Sequence, residues 1–521
     1  MRFRSWIVAG LLVASVASAQ EFRLAEATID GVHEALNAGH ITCRELVQLY
    51  LNRIEAYNRK PPHLNAVQFV NPRALQEADA LDAALESSSG LSGPLHCIPV
   101  LLKDQVETSD MPTSYGSAIF EDFVPQRDAT IVIKMKNAGA IILAKTTMGE
   151  FASRYVGSAY GMIRNAYDPS RNPSGSSGGS GAGVAANFGM VGIGEDTGGS
   201  IRGPAAVHSL VGLRPTTPLV SRHGMMPATP ANDTLGPMTR TVQDAAVLLG
   251  ALAGYDPNDP ITAHAVKHIP SSYTEFLRKD GLKGARIGVI REPMHRKANP
   301  SADDYASVRA VIDQAIVDLS SLGAEVIDPV TVSKLELAEP TYFIENFETE
   351  RVTDAYLAEH PDAPVKTLKE ILLTGKVTPW RASGLVNALG RAADERDYLS
   401  ALLDKEELRR SVFTAMAEHD LDVLVYATFD HEATLIADDA LTNPNTEDAY
   451  GKGDNRWLSP RIGFPALTVP ACFTTNGLPV GLELMGRPFT EGMLIQYAYA
   501  YEQATHRRRP PETTPALAGE P

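Results

Sequence analysis

The run Asn172–Gly183, NPSGSSGGSGAG, and the run Gly194–Ala205, GEDTGGSIRGPA, decide how this 521-residue chain is read. Gly/Ser-rich composition usually marks a flexible linker. Two features argue against that here. The neighbouring stretches, Val184 to Phe188 and Met190 to Ile193, are apolar and read as buried. Charges also enter at fixed places, Glu195, Asp196 and Arg202, where a solvated spacer needs none. Glycine lets a backbone fold tightly and approach a reacting carbonyl with no Cβ in the way. Successive N–H groups of such a loop can converge on one point, which is how an oxyanion hole is built. Thr197-Gly198-Gly199-Ser200 suits that use: it is small, unhindered, and ends in a hydroxyl able to act as a nucleophile.

Outward from these runs, short apolar segments read as buried strands at Cys97–Leu102, Ala140–Ala144, Ile287–Ile290, Val423–Ala427, Ala466–Val469 and Gly481–Leu484. Helical spacing follows the capping-box form Thr42-Cys43-Arg44-Glu45 and recurs over Thr130–Ala138, Ala306–Leu322 and Ala392–His419. Strands alternating with helices predict an α/β fold, with helices on both faces of a sheet. Residues 295–420 are helix-rich and more polar, and serve as a cover or a helical layer. Residues 509–521, rich in Pro and small side chains, read as a flexible tail.

The chain is 44% hydrophobic and 21% charged, which predicts a sizeable core. Its formal charge of −16 argues against nucleic acid, whose binders need a basic face. At the N-terminus, Arg2 and Arg4 precede an apolar run too short to span a bilayer, and Ala17-Ser18-Ala19 follows as a cleavage site. We expect residues 1–19 to be a signal peptide. The product is then secreted or periplasmic, with no stable membrane span after cleavage. Cleavage takes the charge from −16 to −18, because it removes two Arg and no acids. Cys43, Cys97 and Cys472 are an odd, widely spaced set that fits no metal motif, and no bridge is expected.

GSSGGS at Gly175–Ser180, followed by DTGGSIRGPA at Asp196–Ala205, closely resembles the amidase signature. Four further blocks match in the right order: Gly93–Asp104, Ala138–Ala152, Gly236–Leu249 and Phe464–Gly486. The resemblance runs from about Ala25 to about Thr505. It implies one amidase domain over residues 20–508, with a mixed, twisted central sheet.

By the same resemblance Lys103 begins a proton relay, Ser176 bridges it, and Ser200 is the acylated nucleophile. Thr197, Gly198, Gly199 and Ser200 form the oxyanion loop, Ser176 also meets substrate, and Ala152 falls where the family contacts substrate through its backbone. The family's bond before the bridging serine is cis. No metal and no cofactor is implied. Three departures stand out: Cys97 and Gln105, where the family usually has Gly and Asn, and Glu195, where it usually has Ser or Thr. None of the three is expected to touch the triad.

A serine hydroxyl needs a base, and a lysine can be that base only when neutral. Lys103 follows the apolar run Ile98–Leu102, a route to burial and so to a lowered pKa. The implied reaction is hydrolysis of a non-peptide amide through a Ser200 acyl-enzyme. The expected substrate is a small, hydrophobic or aryl amide, and the protein a monomer or homodimer. An esterase or carbamate hydrolase on the same residues is the nearest alternative.

Gly175–Gly179 also fits G-x-S-x-G, which would make Ser177 the nucleophile of an α/β-hydrolase. That needs a preceding strand and a supporting His, and neither His431 nor His506 has the context. Lys145 and the Asn232-Asp233-Thr234 sequon are expected to be structural, and Arg202 with Asp196 to brace the loop. A non-catalytic binding protein is disfavoured because all three triad positions are intact. A transfer-RNA amidotransferase subunit belongs to the same family but works in the cytosol, against the signal peptide.

Overall fold

A computed structural model describes residues 22–87, 90–339, 343–445 and 453–521. The expected signal peptide lies outside the described residues. The apolar runs become strands of one mixed, eleven-stranded sheet: β1 (Val67–Val70), β2 (Pro99–Lys103), β3 (Ile141–Thr146), β4 (Val191–Asp196), β5 (Val211–Arg214), β6 (Thr234–Thr239), β7 (Arg286–Val289), β8 (Glu325–Ile327), β9 (Val423–Ala427), β10 (Ala466–Phe473) and β11 (Pro479–Gly486). Their spatial order is β1-β3-β2-β4-β6-β5-β10-β11-β9-β7-β8. Most of these strands are buried along their whole length. They therefore read as continuous apolar runs rather than alternating ones.

Helices flank the sheet. The capping box at Thr42 is present: Thr42 Oγ1 accepts the Glu45 N–H, and Glu45 Oε2 accepts the Thr42 N–H, at the start of α1 (Cys43–Tyr57). The first Gly/Ser run forms α2 (Gly178–Ala185), fully buried against strands β2 and β4. Ser180 Oγ ties α2 to the Ile193 carbonyl at 3.0 Å and to Thr146 Oγ1 at 2.8 Å. The run is thus structural, as its apolar neighbours require, and Val184, read as buried, falls within α2. Within the helix-rich 295–420 region, β8 extends the main sheet. Helices α3 (Glu345–Ala358) and α4 (Pro379–Val386) lie over the strand ends as a cover.

Two expectations are corrected. Cys43, at the head of α1, and Cys97, just ahead of β2, form a disulfide with a Cα–Cα separation of 5.4 Å. Their spacing of 54 residues hid a tertiary neighbour that the packing of α1 supplies. Among the described residues, the one cluster of three potential metal ligands is Cys43, His96 and Cys97, and its two sulfurs are joined to each other. The C-terminal stretch is held in place. Buried Arg53 donates to the carbonyls of Thr514 (2.7 Å) and Pro515 (3.2 Å) and to Glu520 (2.8 Å), and Leu24 donates to the Pro521 carbonyl. A buried guanidinium needs several acceptors, and the Pro-rich tail provides them.

Candidate active site

Strands β2 and β4 are parallel neighbours, with Leu102 paired to Ile193, so their carboxyl ends emerge side by side. Ligands in open α/β sheets bind outside such ends. Lys103 closes β2, and Glu195 and Asp196 close β4. The turn before α2 brings Ser176 to the same place. Lys103 Nζ donates to Ser176 Oγ at 2.7 Å and to Glu195 Oε2 at 2.8 Å, with the Glu195 carbonyl at 3.3 Å. Lys103 and Glu195 are fully buried. Burial is the largest influence on Lys103 and lowers it below the usual lysine range, against the opposing pull of Glu195, Asp196 and Asp233.

The Gly175–Ser176 bond is cis, as the resemblance implied. Gly175 has a packing reason to be glycine: a Cβ there would run into the Arg154 carbonyl oxygen. Ser200 lines a cavity of about 250 Å³ together with Gly175, Thr197 and Gly198. Among the described residues its hydroxyl has no protein hydrogen-bond partner, which leaves it open to a ligand.

The loop that carries Ser200 is braced from behind. Asp196 accepts Gly199 N–H at 2.7 Å and Ile201 N–H at 3.2 Å, and pairs with Arg202 (3.2 Å) and Arg214 (3.0 Å). Burial works to raise the Asp196 carboxyl, but Arg202 and Arg214 outweigh it and hold it below the usual carboxylate range. Gly199 sits at φ +109°, in the left-handed region that a side chain would strain.

The donors available in this loop differ from the expected set. Gly199 N–H is already committed to Asp196. Among the described residues, the N–H groups of Thr197, Gly198 and Ser200 have no intramolecular acceptor. Ala152 lines the cavity with φ +59°.

The cavity walls come from the cover and from Arg456 and Trp457. Phe343, Trp380, Leu385 and Trp457 present apolar surface, while Glu345 and Arg381 add charge. A narrower recess continues from it between Tyr115, Met148, Phe151, Met226 and Leu368.

A family model described as Amidase matches residues 45–495. The chain belongs to the amidase family. A probable amidase of Arabidopsis thaliana is 34% identical over 97% of this chain and 96% of its own length. A glutamyl-tRNA(Gln) amidotransferase subunit from Gloeothece citriformis is 35% identical over 93% of this chain and 99% of its own. Among solved structures, the native peptide amidase of Stenotrophomonas maltophilia superposes with a TM-score of 0.83 at 36% identity, covering 95% of this chain and all of that one. The chain is thus a carbon–nitrogen hydrolase with the amidase signature fold.

Against that family, three residues change meaning. Glu195, expected to stay clear of the relay, instead bonds Lys103 directly. The motif shows a replaced side chain but not the direction in which it points. Arg456 escapes sequence reading, because no motif marks its stretch. Its Nη1 bridges Ser174 Oγ (3.1 Å) and the Gly199 carbonyl (3.3 Å), so it ties one glycine run to the other. Asp233, in sequence only part of a sequon, places Oδ1 2.8 Å from Thr197 Oγ1.

The competitors fall elsewhere. Ser177 Oγ donates to the Glu195 carbonyl and accepts the Glu195 N–H, both at 3.2 Å, and is fully buried. Among the described residues no strand lies between residues 163 and 177 to lead into it. His431 turns Nδ1 to the Glu432 carbonyl, and His506 ends the last helix. Lys145 is buried, bonded to the Val106 carbonyl and Thr113, and lowered to about 8 chiefly by burial.

Proposed function

We propose that this chain is an exported amidase that hydrolyses a non-peptide amide of a small hydrophobic or aryl acid through a Ser200 acyl-enzyme. The observation that carries the reading is the 2.7 Å contact of Lys103 Nζ with Ser176 Oγ, sealed from water beside a cavity that exposes Ser200. In this reading Ser176 takes the Ser200 proton and passes its own to neutral Lys103, and Ser200 Oγ attacks the carbonyl carbon. The oxyanion rests on the free N–H groups of the Thr197–Ser200 loop. Ser176 then protonates the leaving nitrogen, which an amide requires. Water repeats the sequence in reverse to release the acid. Phe343, Trp380, Leu385 and Trp457 favour an apolar substrate.

A second reading, cleavage of peptide C-terminal amides, draws on the likeness to peptide amidase and on Glu345 and Arg381 in the cavity wall. A panel of aryl amides, fatty amides, peptide amides, carbamates and esters separates the two. The first reading expects aryl or fatty amides to be preferred at least tenfold in kcat/KM, with Ser200→Ala inactive on all. The reverse order selects the second reading. Turnover retained by Ser200→Ala removes both.

A further inference from the structure

Glu195 stands where the family usually has a small hydroxyl, and its carboxylate lies between two partners. Oε2 accepts from Lys103 Nζ at 2.8 Å, and Oε1 accepts from Thr197 Oγ1 at 2.6 Å. Thr197 Oγ1 is also 2.8 Å from Asp233 Oδ1. A threonine hydroxyl has one hydrogen, so it cannot serve two ionised carboxylates. Asp233 Oδ2 is occupied as the acceptor of the Ala228 and Thr229 N–H groups, at 2.9 and 2.7 Å. The arrangement closes if Asp233 is protonated on Oδ1. It then donates to Thr197, which donates to Glu195, which accepts from Lys103. Burial first and the Glu195 charge second push Asp233 up to about 8, in keeping with that proton.

The other charges facing this cluster are accounted for. Asp196 is paired with Arg202 and Arg214, and Arg222 stands near Asp233 with its own partner, Asp259.

An ammonium at Lys103 fits these contacts, with its three hydrogens meeting Ser176 Oγ, Glu195 Oε2 and the Glu195 carbonyl; burial opposes that charge and Glu195 supports it. An ammonium has no lone pair to take a proton from Ser176. We propose that Glu195 is a proton store that frees Lys103 for each turnover, acting as a positioning residue through that lysine. An Nζ–H bond breaks, an Oε2–H bond forms, and the electron pair stays on Nζ. Lys103 then accepts the Ser176 proton as Ser176 accepts that of Ser200. When the leaving nitrogen is protonated, Lys103 returns its proton to Ser176, and Glu195 hands back its own. The pair is neutral before attack and carries one positive charge only while the oxyanion exists, so no proton need be lost to solvent before attack.

This proposal rests on the reading of Ser200 as nucleophile. The test is the second-order rate of Ser200 labelling by a fluorophosphonate between pH 4 and pH 10, in wild type, Glu195→Gln and Glu195→Thr. Without the store, Lys103 must deprotonate on its own. The acid limb should then move up by at least one pH unit in both variants, and Glu195→Asp should restore it. A limb that stays put or moves down overturns the proposal, because a carboxylate that only raises the lysine by its charge gives that result. In wild type alone, an acid limb above pH ~8 contradicts it as well. Labelling that persists in Ser200→Ala overturns the underlying reading instead.

Discussion

Lys103 Nζ and Ser176 Oγ are 2.7 Å apart in a pocket closed to solvent, although 73 residues separate them in the chain. Removing the amine leaves Ser176 with no base behind it. Lys103→Met should lower kcat by about 10²–10⁴-fold with little change in KM. Lys103→Arg should not rescue it, because a guanidinium stays protonated. Steady-state kinetics on the best amide of the panel check both. Activity in Lys103→Arg within tenfold of wild type would contradict the relay.

Ser176 and Ser177 are adjacent but face different partners. Ser176→Ala should cost at least about 10²-fold in kcat, since it removes the donor to the leaving nitrogen. Ser177→Ala should act on stability, by about 1–2 kcal/mol, because it takes the acceptor from the buried Glu195 N–H and leaves the Glu195 carbonyl with only Lys103. Paired kinetics and denaturant melts distinguish them. The opposite pattern would restore the α/β-hydrolase reading of the motif.

Asp233 predicts a pH dependence of stability. Its folded pKa, about 8, lies above the ordinary 3.8, so the native state holds a proton that the unfolded state releases. The contribution is complete below pH about 4 and is lost as pH rises toward about 8. Asp233→Asn keeps the shape without the titration. The melting temperature of wild type relative to Asp233→Asn should therefore fall between pH 5 and pH 9, and parallel curves would contradict the protonated carboxyl.

The Cys43–Cys97 bridge closes a loop of 54 residues. A cross-link of that span is worth about 4 kcal/mol in the chain-entropy picture. For a chain of this size that corresponds to a few degrees of melting temperature. Cys43→Ser should show that drop in thermal melts and should label at Cys97 after unfolding. An unchanged melting temperature would contradict a formed bridge.

Sequence reading reaches the parts of this molecule that are local. The apolar runs at Ile98–Leu102 and Val423–Ala427 read as buried strands, and Thr42 with Glu45 marks a helix start. Strand β6, Thr-Leu-Gly-Pro-Met-Thr, escapes it because Gly and Pro break the apolar run, and β8 is three residues long. The positions proposed for the relay, Lys103, Ser176 and Ser200, are legible because the resemblance to the family motifs implies them.

What surrounds those positions is not legible, because it depends on distant packing. Arg456 reaches Ser174 across 282 residues, Arg53 reaches the C-terminal tail across 461, and Cys43 meets Cys97 only once α1 has docked. Glu195 is the sharpest case. As a letter in a motif it is a departure beside Asp196. In the fold its side chain turns to Lys103 Nζ, 2.8 Å away.

The assignment of Ser200 as the attacking group is tested most directly by locating a covalent adduct. The protein is treated with a fluorophosphonate, or quenched during turnover of a slow ester, and the modified peptide is mapped by mass spectrometry. The prediction is one adduct on Ser200, absent in Ser200→Ala and formed at least about 10²-fold more slowly in Lys103→Met. An adduct on Ser177, or labelling that survives Ser200→Ala, would contradict it.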